Sequence, residues 1–88
     1  MKIIISPRAE KELRKIPKID QIAIAKKIRS LKGPFTIKNT EKLTGDKNIS
    51  RIRIGQYRIL FKYKTNEIYI ILIGHRKDIY HLISQLLR

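Results

Sequence analysis

Residues 51–61, Arg51 to Phe61, read RIRIGQYRILF, and this stretch decides the fold. Before Gly55-Gln56, apolar and charged side chains alternate with period two, so Ile52 and Ile54 face one side of a strand and Arg51 and Arg53 the other. A two-residue turn at Gly55-Gln56 then pairs Ile54 with Tyr57, Arg53 with Arg58 and Ile52 with Ile59. Three arginines share one face of that hairpin. Like charges opposite each other across a ladder are destabilising, on the scale of roughly 0.2–1 kcal/mol per pair, so Arg53 against Arg58 is not placed there for stability. Two explanations remain open at this level: a face that receives an anion, and a solvated basic face on a basic protein.

Downstream, Phe61 to Tyr63 continues the second strand and Thr65-Asn66 makes another tight turn. Glu67 to Gly74 is a nearly unbroken apolar strand suited to the middle of a sheet. Counting across Thr65-Asn66 places Ile68, Ile70 and Leu72 on the face of Ile59 and Phe61, and Tyr69, Ile71 and Ile73 on the arginine face. Asp78 is positioned to cap a last helix with Ile79, Leu82, Ile83 and Leu86 on its apolar side. Upstream, Lys2 to Ile5 suits a strand ended by Ser6-Pro7, a strong helix start because serine caps free N–H groups and proline has none to leave unpaired. Glu10 and Glu12 suit that helix dipole, and Ala9, Leu13 and Ile16 form its stripe up to Pro17. Asp20 is expected to cap a second helix, with Ile24, Ile28 and Leu31 as its stripe, Lys26, Lys27, Arg29 and Lys32 mostly off it, and Gly33-Pro34 as its end. Phe35 to Asn48 reads as a loop with one helical turn at Glu41 to Leu43. The expected architecture is one α+β domain over residues 1–88, in the order β-α-α-β-β-β-α. Its antiparallel sheet carries a helical hairpin on one face, and a short C-terminal helix folds back on it.

A chain of 88 residues buries only about 60–65% of its extended surface, and with no cysteine it has neither a disulfide framework nor a thiolate metal site to staple it. Ile and Leu must build the core. MKIIIS is too short an apolar run for a signal peptide and nothing approaches the roughly 18 apolar residues of a membrane span, so a soluble, cytoplasmic protein without a membrane partner is expected. The net charge of +14 is spread along the whole chain, which points to nucleic acid or an acidic protein as partner.

Leu43-x-Gly45, Arg51-Ile-Arg53, Tyr57-Arg58, Gly74-His75-Arg76 and Tyr80, in this element order and over essentially the whole chain, resemble the RelE branch of the RelE/ParE toxin superfamily. That resemblance implies a RelE-like fold and a toxin that enters the ribosomal A site, contacts rRNA, cleaves the mRNA there, and is held inactive by an acidic RelB-like antitoxin. By the same analogy Arg58 and Arg76 grip the scissile phosphate and Tyr80 stacks on a base. Arg51 and Arg53 stand where well-studied relatives carry lysines. A lysine can be tuned into a base and an arginine cannot, so the general base stays unassigned. The ParE branch, whose toxins bind a topoisomerase without cleaving anything, shares the Tyr-Arg strand, and a non-catalytic RNA-binding module is a third possibility.

The chemistry follows from the residue types. Metal-free RNA cleavage needs an activated 2′-OH, a stabilised phosphorane and a protonated leaving oxygen. Arg51, Arg53, Arg58 and Arg76 offer fork-shaped donors for the second need. His75 is the nearby side chain whose ordinary titration falls near neutrality, suiting it as acid or base; the alternative is a strand-end histidine bonded to backbone. Tyr80 has either the stacking role or a place in helix-to-sheet packing. Tyr57 belongs to the core face, His81 to an exposed helix surface, and Lys62 and Lys77 to phosphate tracking or to solvent. Two histidines with no cysteine or carboxylate cluster beside them argue against a metal site, and no cofactor is expected.

Overall fold

The hairpin forms with the register that its alternation dictates. In the computed structural model, which describes residues 2–32, 41–42 and 49–86, β3 (Ser50–Ile54) and β4 (Tyr57–Lys64) pair Ile54 with Tyr57, Arg53 with Arg58 and Ile52 with Ile59. Gly55, first of the two turn residues, has φ +52°, a conformation glycine adopts without a Cβ clash and the one a tight hairpin requires there. Asn66 takes φ +57° in the second turn, which leads into β5 (Glu67–His75).

Ser6 caps α1 (Pro7–Arg14): its hydroxyl oxygen accepts from the Ala9 N–H at 3.0 Å, while the hydroxyl donates to the Ile71 carbonyl at 2.8 Å and ties the helix start to β5. The second helix, α2 (Lys18–Ser30), begins earlier than expected, and Asp20 lies inside its first turn rather than at its cap. The Pro17 carbonyl accepts from the Asp20 and Gln21 N–H groups at 2.9 and 3.0 Å, so the helix already starts at the proline.

The other strands are β1 (Lys2–Ile5) and β2 (Glu41–Lys42), and the C-terminal helix is α3 (Ile79–Leu86). Glu41 and Lys42 pair with Arg51 and Ser50, a strand in place of the expected helical turn. Leu43-x-Gly45, Gly33-Pro34 and the rest of the Phe35–Asn48 segment lie outside the described residues. The five strands are ordered β1-β5-β4-β3-β2. β2 to β5 form the expected antiparallel sheet, and β1 adds to β5 in parallel, so the whole sheet is mixed. A parallel neighbour needs a crossover, which the helices supply.

Both faces are covered. Ile24 and Ile28 of α2, Leu31 at its C-terminal cap and Ala9 of α1 bury against Ile52, Ile59, Phe61, Ile68, Ile70 and Ile73, while Leu60, Ile71, Leu72 and Ile49 form a second cluster with Ile79 of α3. The apportioning of β5 differs from the simple count. The β4–β5 register shifts between Leu60 and Phe61, with Phe61 opposite Ile70 and Leu60 opposite Leu72, which leaves Ile71 as the extra residue of a bulge. Leu72 therefore turns to the α3 side and Ile73 to the helical-hairpin side, the reverse of the expectation. No helix among the described residues is long and apolar enough to cross a membrane.

Candidate nucleic-acid interface

β3 and β4 set Arg53 directly across from Arg58, and Arg51 across from Leu60 on the same α3-side face. Arg58 is half-buried, and its Nη1 folds back to donate to the carbonyls of Gly55 at 3.2 Å and Tyr57 at 3.0 Å. Burial, followed by the guanidiniums of Arg53, Arg51 and Arg76, holds Arg58 below the ordinary arginine value, while Tyr80 acts in the opposite direction. Arg58 stays charged at neutral pH all the same, since arginine does not deprotonate there. Arg76 follows β5 directly, and its N–H donates to the Gln56 carbonyl at 2.7 Å, which pins the start of the β5–α3 connection to the β3–β4 turn. Four arginines thus converge from three places in the chain.

Tyr80 lies beside them on the first turn of α3. Its neighbour Ile79 is buried, whereas Tyr80 is 65% exposed and its hydroxyl accepts from Arg51 Nη1 at 3.1 Å. Tyr80 thus leaves most of its ring open while its hydroxyl links α3 to β3 through Arg51. A residue that sequence reasoning passed over as part of a motif makes the arrangement possible. A Cβ on Gly74 would stand 2.8 Å from Leu82 Cδ1 and 3.2 Å from Ile79 Cδ1, so glycine lets these side chains of α3 settle against β5 without having to shift. An isolated glycine in an apolar strand is the signal that marks such an approach.

His75 is not brought into this group. The bulge turns it to the α1 side, where it pairs with Tyr57 and its ring meets the Tyr57 ring edge-on, with centroids 5.6 Å apart. Its Nδ1 accepts from the Lys77 N–H at 3.1 Å, and the ring lines a small cleft with Glu12, Lys15 and Asp78. Tyr57 packs against the helical-hairpin core as expected, and His81 is exposed beside Gln85. Among the described residues no group of three or more His, Cys, Asp or Glu side chains could hold a metal ion.

What the arrangement can do chemically is hold an anion. Convergent guanidiniums offer paired N–H donors to phosphate oxygens, and an exposed phenol ring alongside offers a flat surface for a base.

The model of the family described as the ParE toxin of type II toxin–antitoxin systems, parDE, matches residues 3–80. No curated protein matches the chain. Among solved structures, the fold is similar to a chain of the RelB–RelE antitoxin–toxin complex from Methanococcus jannaschii, at 26% identity over 88% of this chain and 94% of that one, with a TM-score of 0.73. It is also similar to a chain of the RelBE2 toxin–antitoxin complex from Mycobacterium tuberculosis, at 17% identity over 84% and 95%, TM-score 0.73. The isolated RelE toxin of E. coli aligns at 22% identity over 98% of this chain and 97% of that one, TM-score 0.68. The last two likenesses are of fold.

Proposed function

We propose that this chain, which belongs to the ParE toxin family of type II toxin–antitoxin systems, is a metal-independent endoribonuclease that cleaves mRNA in the ribosomal A site. The observation that carries the reading is the convergence of Arg51, Arg53, Arg58 and Arg76 beside an exposed Tyr80. Arg58 and Arg76 would bind the non-bridging oxygens of the scissile phosphate. Arg51 and Arg53 would extend the positive field towards the charge that develops as the neighbouring 2′-OH attacks, and Tyr80 would stack on a base and fix the attack line. A donor aimed at developing charge is typically worth about 3–4 kcal/mol of barrier, and alignment of a substrate already held by the ribosome contributes further. His75, facing α1, sits apart from this field, so the chemistry rests on charge stabilisation and alignment more than on a histidine proton relay. Ribosomes place the activity in the cytoplasm.

A basic nuclease of this kind needs restraint, and an acidic RelB-like antitoxin is the expected inhibitor. The +14 charge supports it, as do those solved neighbours that are RelB–RelE complexes. The matching family carries the ParE name, and this favours a second reading, a toxin that binds a DNA topoisomerase without cutting RNA. Mapping transcript 5′ ends after brief induction separates the two. Cuts inside translated codons, lost in Arg76→Ala, are expected for the nuclease; intact mRNA accompanied by DNA damage would overturn it in favour of the second.

A further inference from the structure

On the same sheet face as the arginines lies an open trough of about 520 Å³, beside the C-terminal half of α3, whose Gln85 accepts from Arg8. Ile49, Tyr69 and Ile71 make its apolar floor, and Lys62 and Arg8 stand at its polar edges. Lys62 and Tyr69 are cross-strand partners, and the Lys64 ammonium lies 5.1 Å from the centre of the Tyr69 ring. The Ser6 hydroxyl on the wall is already committed to Ile71 and Ala9. The free chemistry of the trough is therefore an aromatic and aliphatic floor edged by cations, at a volume within the roughly 300–1,000 Å³ of small-molecule sites.

Its position is as informative as its lining. Ile49 lies two residues before Arg51 and Lys62 four residues after Arg58, which at a strand rise of about 3.3 Å per residue sets the trough about 7 Å from Arg51 and about 13 Å from Arg58 along the same face. We infer that the trough seats a further nucleotide of the bound RNA, on the far side of Arg51 from the step held at Arg58 and Arg76, with its base on Tyr69 and Ile71 and its phosphate between Lys62 and Arg8. The inference rests on the RNA reading above. An acidic peptide would also answer the cations, but it would leave the aromatic floor and the short, continuous path from Arg51 without a purpose. Lys62 makes no ion pair among the described residues, and Arg8 has donors beyond the one given to Gln85, so both remain able to take a phosphate.

The test is binding of a fluorescent, 2′-O-methylated RNA hexanucleotide, which cannot be cleaved, to the intact chain at low salt. Tyr69→Leu is expected to weaken binding by about fivefold or more, the effect of one lost base stack. Lys62→Gln is expected to lower the log-log salt slope by about 0.7, and both variants should keep the wild-type melting temperature. Affinity and slope unchanged in both, no binding by the wild type, or Tyr69 amide shifts with poly-glutamate but not with the hexanucleotide, would each overturn it. Failure of the function reads differently. Tyr69-dependent RNA binding without mRNA cleavage on ribosomes removes the nuclease and keeps the trough, while cleavage with Tyr69-independent binding removes the trough alone.

Discussion

Arg58 is held by the turn it folds back on, amid three like charges, and that conflict has a measurable consequence. A base whose folded value is lowered disfavours the folded state while charged, and stability recovers only as pH rises from that lowered value towards the ordinary one. At neutral pH the repulsion is fully present. Arg58→Ala is therefore expected to leave the melting temperature unchanged or raise it, while single-turnover cleavage on programmed ribosomes falls by about 10²–10³; a destabilised variant, or one that still cleaves, would contradict the assignment. Tyr63 has the opposite sign. Burial raises its phenol, and its hydroxyl donates to the Leu31 carbonyl at 3.2 Å, joining β4 to the end of α2. Stability from a raised acid is complete below the unfolded value and is lost as pH climbs through the folded one. Urea titrations should show wild-type stability declining above about pH 10. Tyr63→Phe should lack that alkaline decline and cost up to about 1 kcal/mol at neutral pH, in keeping with one partly exposed hydrogen bond.

At the scale of elements, α3 is the piece on which the candidate site depends, because it carries Tyr80 and is seated through Ile79 and Leu82 on Gly74. Gly74→Ala inserts a methyl where the nearest atom is the end of the Leu82 side chain, which can swing, and the next is Ile79 Cδ1. Overpacking of this kind costs about 1–3 kcal/mol, and here the displacement falls on one short helix. Hydrogen exchange is expected to quicken across residues 79–86 with β4 and β5 unaffected, and cleavage to drop because Tyr80 no longer meets Arg51. Unchanged exchange over α3 would show that the glycine has no such seating role. On the other face of the sheet, the start of α1 is tied by the Ser6 hydroxyl to the Ile71 carbonyl, at the bulge itself. The bulge thus decides both where α1 attaches and which β5 side chains meet α3.

For the molecule as a whole, a charge of +14 on 88 residues governs encounter. If the chain acts on ribosomes as proposed, its association with them should be fast and steeply salt-dependent, because each cation that neutralises a phosphate releases a counterion. Lys26 is exposed on α2, away from the candidate site. If it tracks an rRNA phosphate, Lys26→Gln should reduce the log-log slope by about 0.7 with the cleavage rate at saturation unaltered. A steep slope shared equally by all lysine variants would instead indicate a diffuse field with no individual contacts. The outer side of α2 also exposes Ile19 and Ile22, at 79% and 53%, so charge is not the only feature this surface presents.

What the sequence by itself determined was local. The register of Arg53 against Arg58, the Ser6-Pro7 helix start and the buried stripe of Ile24, Ile28 and Leu31 each follow from alternation, capping or helical spacing within a few residues, and the arginine face followed from the register. Tertiary structure decided what a uniform or irregular run cannot encode. Ile70 to Ile73 is apolar throughout, so no alternation marks which side chain faces which layer, and the bulge at Ile71 is set by how β5 fits β4 and α1 together. That one extra residue carries His75 from the arginine face, where simple counting would put it, to the α1 side beside Tyr57. The two-residue β2 and the parallel seat of β1 are likewise set by pairing with strands distant in the chain, because an edge strand is stabilised by the hydrogen bonds its neighbour offers more than by its own residues.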